Sequence, residues 1–178
     1  SDYEQSTLTA VIEARSKVAA ATGAEEQAAA GAQLDSAIDI WVNAPKVDSV
    51  TNTNVTIQAL EWDRDGKLSI YCQWHNKEYP GGYMQIDRSA YVEDLLSGEC
   101  YRVHDVIDCK FSPDTTMVPL GNKKQFALVF EGVPTTISKL NVFESDTSAW
   151  KFYGVNVEDK MHIVTVDEYL FGDWLEEL

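Results

Sequence analysis

Three histidines, His75, His104 and His162, are the only side chains in this chain whose ordinary titration lies near neutrality. Any general base, nucleophile–base pair or metal centre would be built around them. Their positions fit no HExxH or paired-histidine pattern, so no zinc site is expected. His104-Asp105 beside Asp108 comes nearest to a site, and the same residues equally suit a turn. Asp63-Arg64-Asp65-Gly66 opens like a calcium loop but lacks the third ligand and the terminal Glu, so it reads as a hairpin turn. No glycine-rich phosphate loop follows a strand, and with 29 acidic side chains any pair of glycosidase carboxylates would be an arbitrary choice. Neither a catalytic set, a metal nor a cofactor is expected.

The aromatic residues point further. Trp62, Tyr71, Trp74, Tyr79 and Tyr83 gather around one hairpin and the Pro80-Gly81-Gly82 turn that follows it, with Gln73 and Asn76 as amide neighbours. Flat rings beside amides can stack on a sugar or anchor a protein partner. Tyr79, Tyr83, Trp62, Trp74, Gln73 and Asn76 are therefore the candidate binding residues. Tyr79 and Tyr83, beside the turn, are expected to be exposed, and Trp62 and Trp74, near opposite ends of paired strands, to be buried.

These residues need a scaffold, and from Val50 onward the apolar spacing is two. Val55-Thr56-Ile57-Gln58-Ala59-Leu60 runs into Trp62, the Asp63–Gly66 turn follows, and Leu68, Ile70, Cys72 and Trp74 then alternate with Ser69, Tyr71, Gln73 and His75. Further strands are expected over 83–86, 99–103, 106–111, 125–130, 140–143, 151–157 and 162–166. Short strands separated by turn clusters such as Tyr79-Pro80-Gly81-Gly82 and Ser97-Gly98 predict an antiparallel β-sandwich.

The first 49 residues have another period. Leu8, Val11, Ile12, Val18 and Ala19 share a helical stripe, Thr22-Gly23-Ala24-Glu25 reads as a capping box, and Ala30, Leu34, Ile38 and Trp41 keep helical spacing until Pro45. A helical hairpin over 1–49, appended to a β-sandwich domain over 50–178, is expected: mainly β with N-terminal helices. At the other end Phe171, Trp174, Leu175 and Leu178 predict a short C-terminal amphipathic helix.

The chain carries 14 Lys+Arg against 29 Asp+Glu, a net charge of −15. Binding to phosphate backbones runs on basic side chains, which argues against nucleic acid as a partner. No stretch is long and apolar enough for a transmembrane segment. The first residue is Ser1 rather than Met, so a leader or lipid anchor upstream fits the sequence. Cys72, Cys100 and Cys109 are odd in number and show no CxxC spacing. Cys100 and Cys109 would pair if they lay on adjacent strands; otherwise all three are free thiols behaving as small hydrophobes.

Residues 83–157 bear a family likeness. Tyr83-Met84-Gln85-Ile86-Asp87, Tyr91-Val92-Glu93-Asp94 with Ser97-Gly98 and Tyr101, Phe126-Ala127-Leu128-Val129-Phe130-Glu131-Gly132-Val133-Pro134, Phe143-Glu144 and Phe152-Tyr153-Gly154-Val155 together resemble a β-sandwich module of exported Bacteroidetes proteins. The resemblance covers roughly 100 residues from Val50 and implies an extracytoplasmic, often lipid-anchored, non-enzymatic domain. Ala10-Val11-Ile12-Glu13-Ala14-Arg15 through Gln33-Leu34 is similar to a fragment of the LemA helical bundle, without that family's longer flanking helices, and implies no function. The combined expectation is a non-catalytic binding or scaffold module at the bacterial envelope, periplasmic or on the cell surface, presenting aromatics to a protein or glycan partner. The alternative is an acidic inhibitor or immunity-type protein steered to a basic enzyme by its charge.

Overall fold

The Asp63 turn starts the fold. Asp63 accepts backbone N–H bonds from Asp65 and Lys67 on its Oδ1, at 2.9 and 3.0 Å, and Gly66 supplies the positive φ of 81° that closes the bend. The computed structural model describes residues 9, 10, 12, 13, 38–145 and 150–164. On either side of this turn lie β3 (Val55–Trp62) and β4 (Leu68–His75), paired antiparallel with Trp62 opposite Leu68 and Val55 opposite Trp74.

Among the described residues ten strands form one antiparallel sheet. They are β1 (Ile38–Asn43), β2 (Val47–Val50), β3, β4, β6 (Tyr91–Asp94), β7 (Cys100–Ile107), β9 (Lys123–Phe130), β10 (Lys139–Phe143), β11 (Lys151–Asn156) and β12 (Met161–Val164). The spatial order is β12-β1-β3-β4-β9-β7-β6-β10-β11-β2, while β5 (Tyr83–Met84) and β8 (Thr116–Met117) make a separate ribbon. Strands β1 and β2 lie near opposite ends of that order, yet only Ala44-Pro45-Lys46 separates them. Three residues span at most about 11 Å, so the ends of the sheet must approach each other and the sheet curls into a half-barrel. Register shifts at Ile57/Ala59, Val103/Asp105 and Leu140/Val142 insert extra residues that bend the strands into this curl.

The concave side holds the main core, with Leu60, Trp62, Leu68, Ile70, Phe126 and Leu128 on one wall and Val92, Leu140, Val142, Phe152 and Val155 on the other. The convex side of β1, β3, β4 and β9 carries a second cluster of Trp41, Ala59, Tyr71 and Ala127, on which Ile12 packs. Thr9, helical like Ala10, Ile12 and Glu13, donates from its hydroxyl to Gln125 Oε1.

This architecture corrects the expected fold class. Among the described residues ten of the twelve strands make one hydrogen-bonded sheet curled on itself rather than two stacked sheets. The described end of the expected second arm is strand instead of helix: Ile38 and Trp41 lie in β1, and Val47–Val50 forms β2 beyond Pro45. Strand β1 is buried on both faces, Val42 in the main core and Trp41 in the convex cluster. A strand covered on both sides loses the polar–apolar alternation that would reveal it, and a spacing of three or four then imitates a helix. Apart from the turn at Thr9, Ala10, Ile12 and Glu13, the rest of the expected hairpin lies outside the described residues, as does the expected helix at Phe171 to Leu178. The strands expected at 99–103 and 106–111 are one, β7, with His104 at its bulge. Among the described residues no helix is long and apolar enough to cross a membrane.

Candidate functional site

One end of the half-barrel opens into a pocket of about 310 Å³, at the lower end of the ~300–1,000 Å³ range of ligand pockets. Val55 at the start of β3, Phe126 in β9 and Trp150 just before β11 form its buried floor. Trp74, near the end of β4, and Met84 in β5 are half-buried beside them. Tyr79 and Tyr83, 39% and 37% exposed, stand at the rim with Gln85. Asn52 and Glu144 complete the lining.

The walls are fixed from behind. Trp150 lies between Phe126, at a centroid distance of 6.3 Å, and Phe152, edge-to-face at 5.6 Å. Tyr79 and Tyr83 meet edge-to-face at 5.2 Å, a favoured quadrupole geometry. The hydrogen bond between these two phenols raises the Tyr79 hydroxyl above its ordinary pKa. Glu144 Oε1 accepts the Asp87 backbone N–H at 2.7 Å. Asp87, held in turn by the Ser89 amide and hydroxyl, has its carboxyl lowered by those bonds. At Gly81 a β-carbon would fall 2.3 Å from the Tyr79 ring, so only glycine lets that ring fold over the turn.

The sequence candidates divide. Trp74, Tyr79 and Tyr83 come together in the pocket. Trp62 lies at the far end of the β3–β4 pair, 1% exposed, donating from Nε1 to the Val133 carbonyl at 3.0 Å, with Lys160 Nζ 5.8 Å from its ring centre. Gln73 is on the convex face of β4, where Gln58 Nε2 approaches its Oε1 at 3.5 Å. Asn76 is fully buried: its Nδ2 donates to the carbonyls of Tyr79 and Val118, both at 2.8 Å, and its Oδ1 accepts the Tyr79 N–H at 2.9 Å. It builds the rim rather than lining the pocket.

Sequence reasoning passed over Asn52, Val55, Met84, Gln85, Phe126, Glu144 and Trp150. Phe126 was legible only as one member of an apolar strand face. Asn52, Glu144 and Trp150 sit in connections, and nothing local announces that these meet β4.

The histidines stay apart. His75 pairs across to Lys123, His104 faces Glu131 at 3.2 Å with both side chains half-exposed, and His162 is on β12; none lines the pocket. Among the described residues no cluster of three or more His, Cys, Asp or Glu could hold a metal ion. None of the three cysteines forms a disulfide: Cys100 opens β7 and Cys109 lies two residues past the end of that same strand, so the two are not on neighbouring strands.

No protein-family model matches this sequence, and neither a curated protein nor a solved structure shows significant similarity to it.

Proposed function

We propose that this chain is a non-catalytic binding module whose working surface is the aromatic pocket at the end of the half-barrel. The observation that carries the reading is the convergence of Trp74, Tyr79, Tyr83, Phe126 and Trp150 on one opening of about 310 Å³. These rings come from β4, β5, β9 and the connections around them, so the sheet holds them in place before any ligand arrives, and little ordering cost remains at binding. The histidines lie elsewhere, and nothing in the lining pairs a nucleophile with a base. Export to the bacterial envelope is part of the proposal and is supported by the likeness of residues 83–157 to exported Bacteroidetes modules.

The neutral fluorophore N-phenyl-1-naphthylamine tests the pocket directly. Its emission is expected to rise saturably with one equivalent bound, and the rise to vanish in Met84→Arg, which puts a cation among the rings. Absence of uptake by the unaltered chain, or uptake unchanged by Met84→Arg, would overturn the assignment.

A further inference from the structure

The pocket's chemistry is one-sided. Aromatic rings dominate its walls, its polar lining consists of Asn52, Gln85 and Glu144, and neither Lys, Arg nor His is among the lining residues. Among the described residues Glu144 is thus the one charged group in the lining, and the Asp87 amide holds one of its oxygens. An anionic ligand would meet this carboxylate with no counter-charge. A cation would meet the negative faces of the rings together with a carboxylate.

The ring geometry suits this. In the edge-to-face pair of Tyr79 and Tyr83 only one ring face is consumed by the contact, which leaves the remaining faces uncovered by their partner. The floor of Val55 and Phe126 is apolar. It would strip water from an entering charge at high cost for a compact ammonium. The cost is lower for a quaternary one, whose methyl groups spread the charge and make apolar contact. The chain's net charge of −15 raises the local concentration of cations around it.

The geometry points to a quaternary ammonium group as the pocket's ligand, its methyls against Trp74, Tyr79, Tyr83 and Trp150 and its charge paired with Glu144. This assignment rests on the pocket being the binding site, as proposed above. The same aromatic walls would serve a neutral sugar by stacking, and charge is what separates the two.

Calorimetric titration of the full chain with choline, and with its uncharged carbon isostere 3,3-dimethylbutan-1-ol, tests the assignment. Choline is expected to bind saturably, and the alcohol at least tenfold more weakly. Tyr83→Ala, at an exposed rim position, and Trp74→Ala are each expected to weaken choline by about threefold to thirtyfold. Glu144→Gln keeps an acceptor for the Asp87 amide and is expected to weaken choline while leaving the alcohol unchanged. Equal affinity for choline and the alcohol, choline binding that ignores Glu144→Gln, or binding that survives both ring deletions would overturn the ammonium assignment. So would an absence of choline binding. In each case continued uptake of N-phenyl-1-naphthylamine keeps the pocket as a binding site, and only loss of that uptake as well brings down the underlying reading.

Discussion

Asn76 shows how much of the rim depends on one amide. Its side chain bonds the carbonyls of Tyr79 and Val118 and the amide of Tyr79, while its backbone bonds those of Gly121 and Asn122. Asn76→Ala strands the buried Val118 carbonyl and the part-buried amide and carbonyl of Tyr79, a buried group costing roughly 1–3 kcal/mol when unsatisfied. A loss of about 2 kcal/mol or more is expected in urea denaturation, together with weaker fluorophore uptake as Tyr79 is released. The thiols give a second residue-scale expectation. Burial pushes the Cys109 thiol up to about 12, with Asp108 and Asp105 adding to the rise and Lys124 opposing it; burial raises Cys72 further still. Exposed Cys100 should react with a disulfide reagent at once in the native state, and Cys72 only once the chain unfolds. Between pH 9 and 12 the folded Cys109 keeps a proton that an unfolded thiol, releasing near 9.0, has lost. The folded state binds more protons over that interval, so this contribution to stability is full below pH 9 and fades as pH climbs towards 12. Urea midpoints measured across this range, with Cys109→Ala as the reference, check the sign.

At the scale of elements, the β3–β4 hairpin was legible because one of its faces is a continuous apolar column and its turn has its own chemistry. Strand β7 was harder to read: the bulge at His104 adds a residue, the alternation slips by one, and a single strand looks like two with a turn between. Strand β11 hides a different device. Gly154 adopts a φ of +63° within the strand, its N–H donates to Asn141 Oδ1 at 2.9 Å, and a β-carbon there would fall 2.1 Å from Asp48 Oδ2 on the neighbouring strand. Gly154→Ala is expected to cost about 1–2 kcal/mol, from the left-handed backbone. Pairing it with Asp48→Ala should recover only the part due to the clash, which a double-mutant cycle in urea would resolve. If the double variant regained full stability, backbone strain would contribute nothing at this position.

For the whole molecule the decisive feature is the short link from β1 to β2. Ala44 sits there at a φ of +42°, a conformation L-residues seldom take, and its N–H donates to the Gln58 carbonyl at 3.0 Å. Ala44→Val is expected to destabilise by about 2 kcal/mol, since a branched side chain tolerates this φ worst, whereas Ala44→Gly should be neutral or slightly stabilising; thermal unfolding of the two variants reads the difference. Charge belongs to the same scale. Residues 38–164 hold 18 acidic and 12 basic side chains, so nine of the fifteen net negative charges belong to residues before Ile38 and after Val164. The sequence by itself determined that the described chain from Val50 to Val164 would be antiparallel β, where its first hairpin turns, and that aromatic rings gather after it. Those properties follow from period, turn residues and neighbours along the chain. Only the tertiary structure decided that one sheet curls on itself, that residues 38–50 join its two ends, and that Phe126, Glu144 and Trp150 complete a pocket begun by Trp74. Contacts between residues tens of positions apart leave no local pattern, and a strand buried on both faces erases the one it would have had.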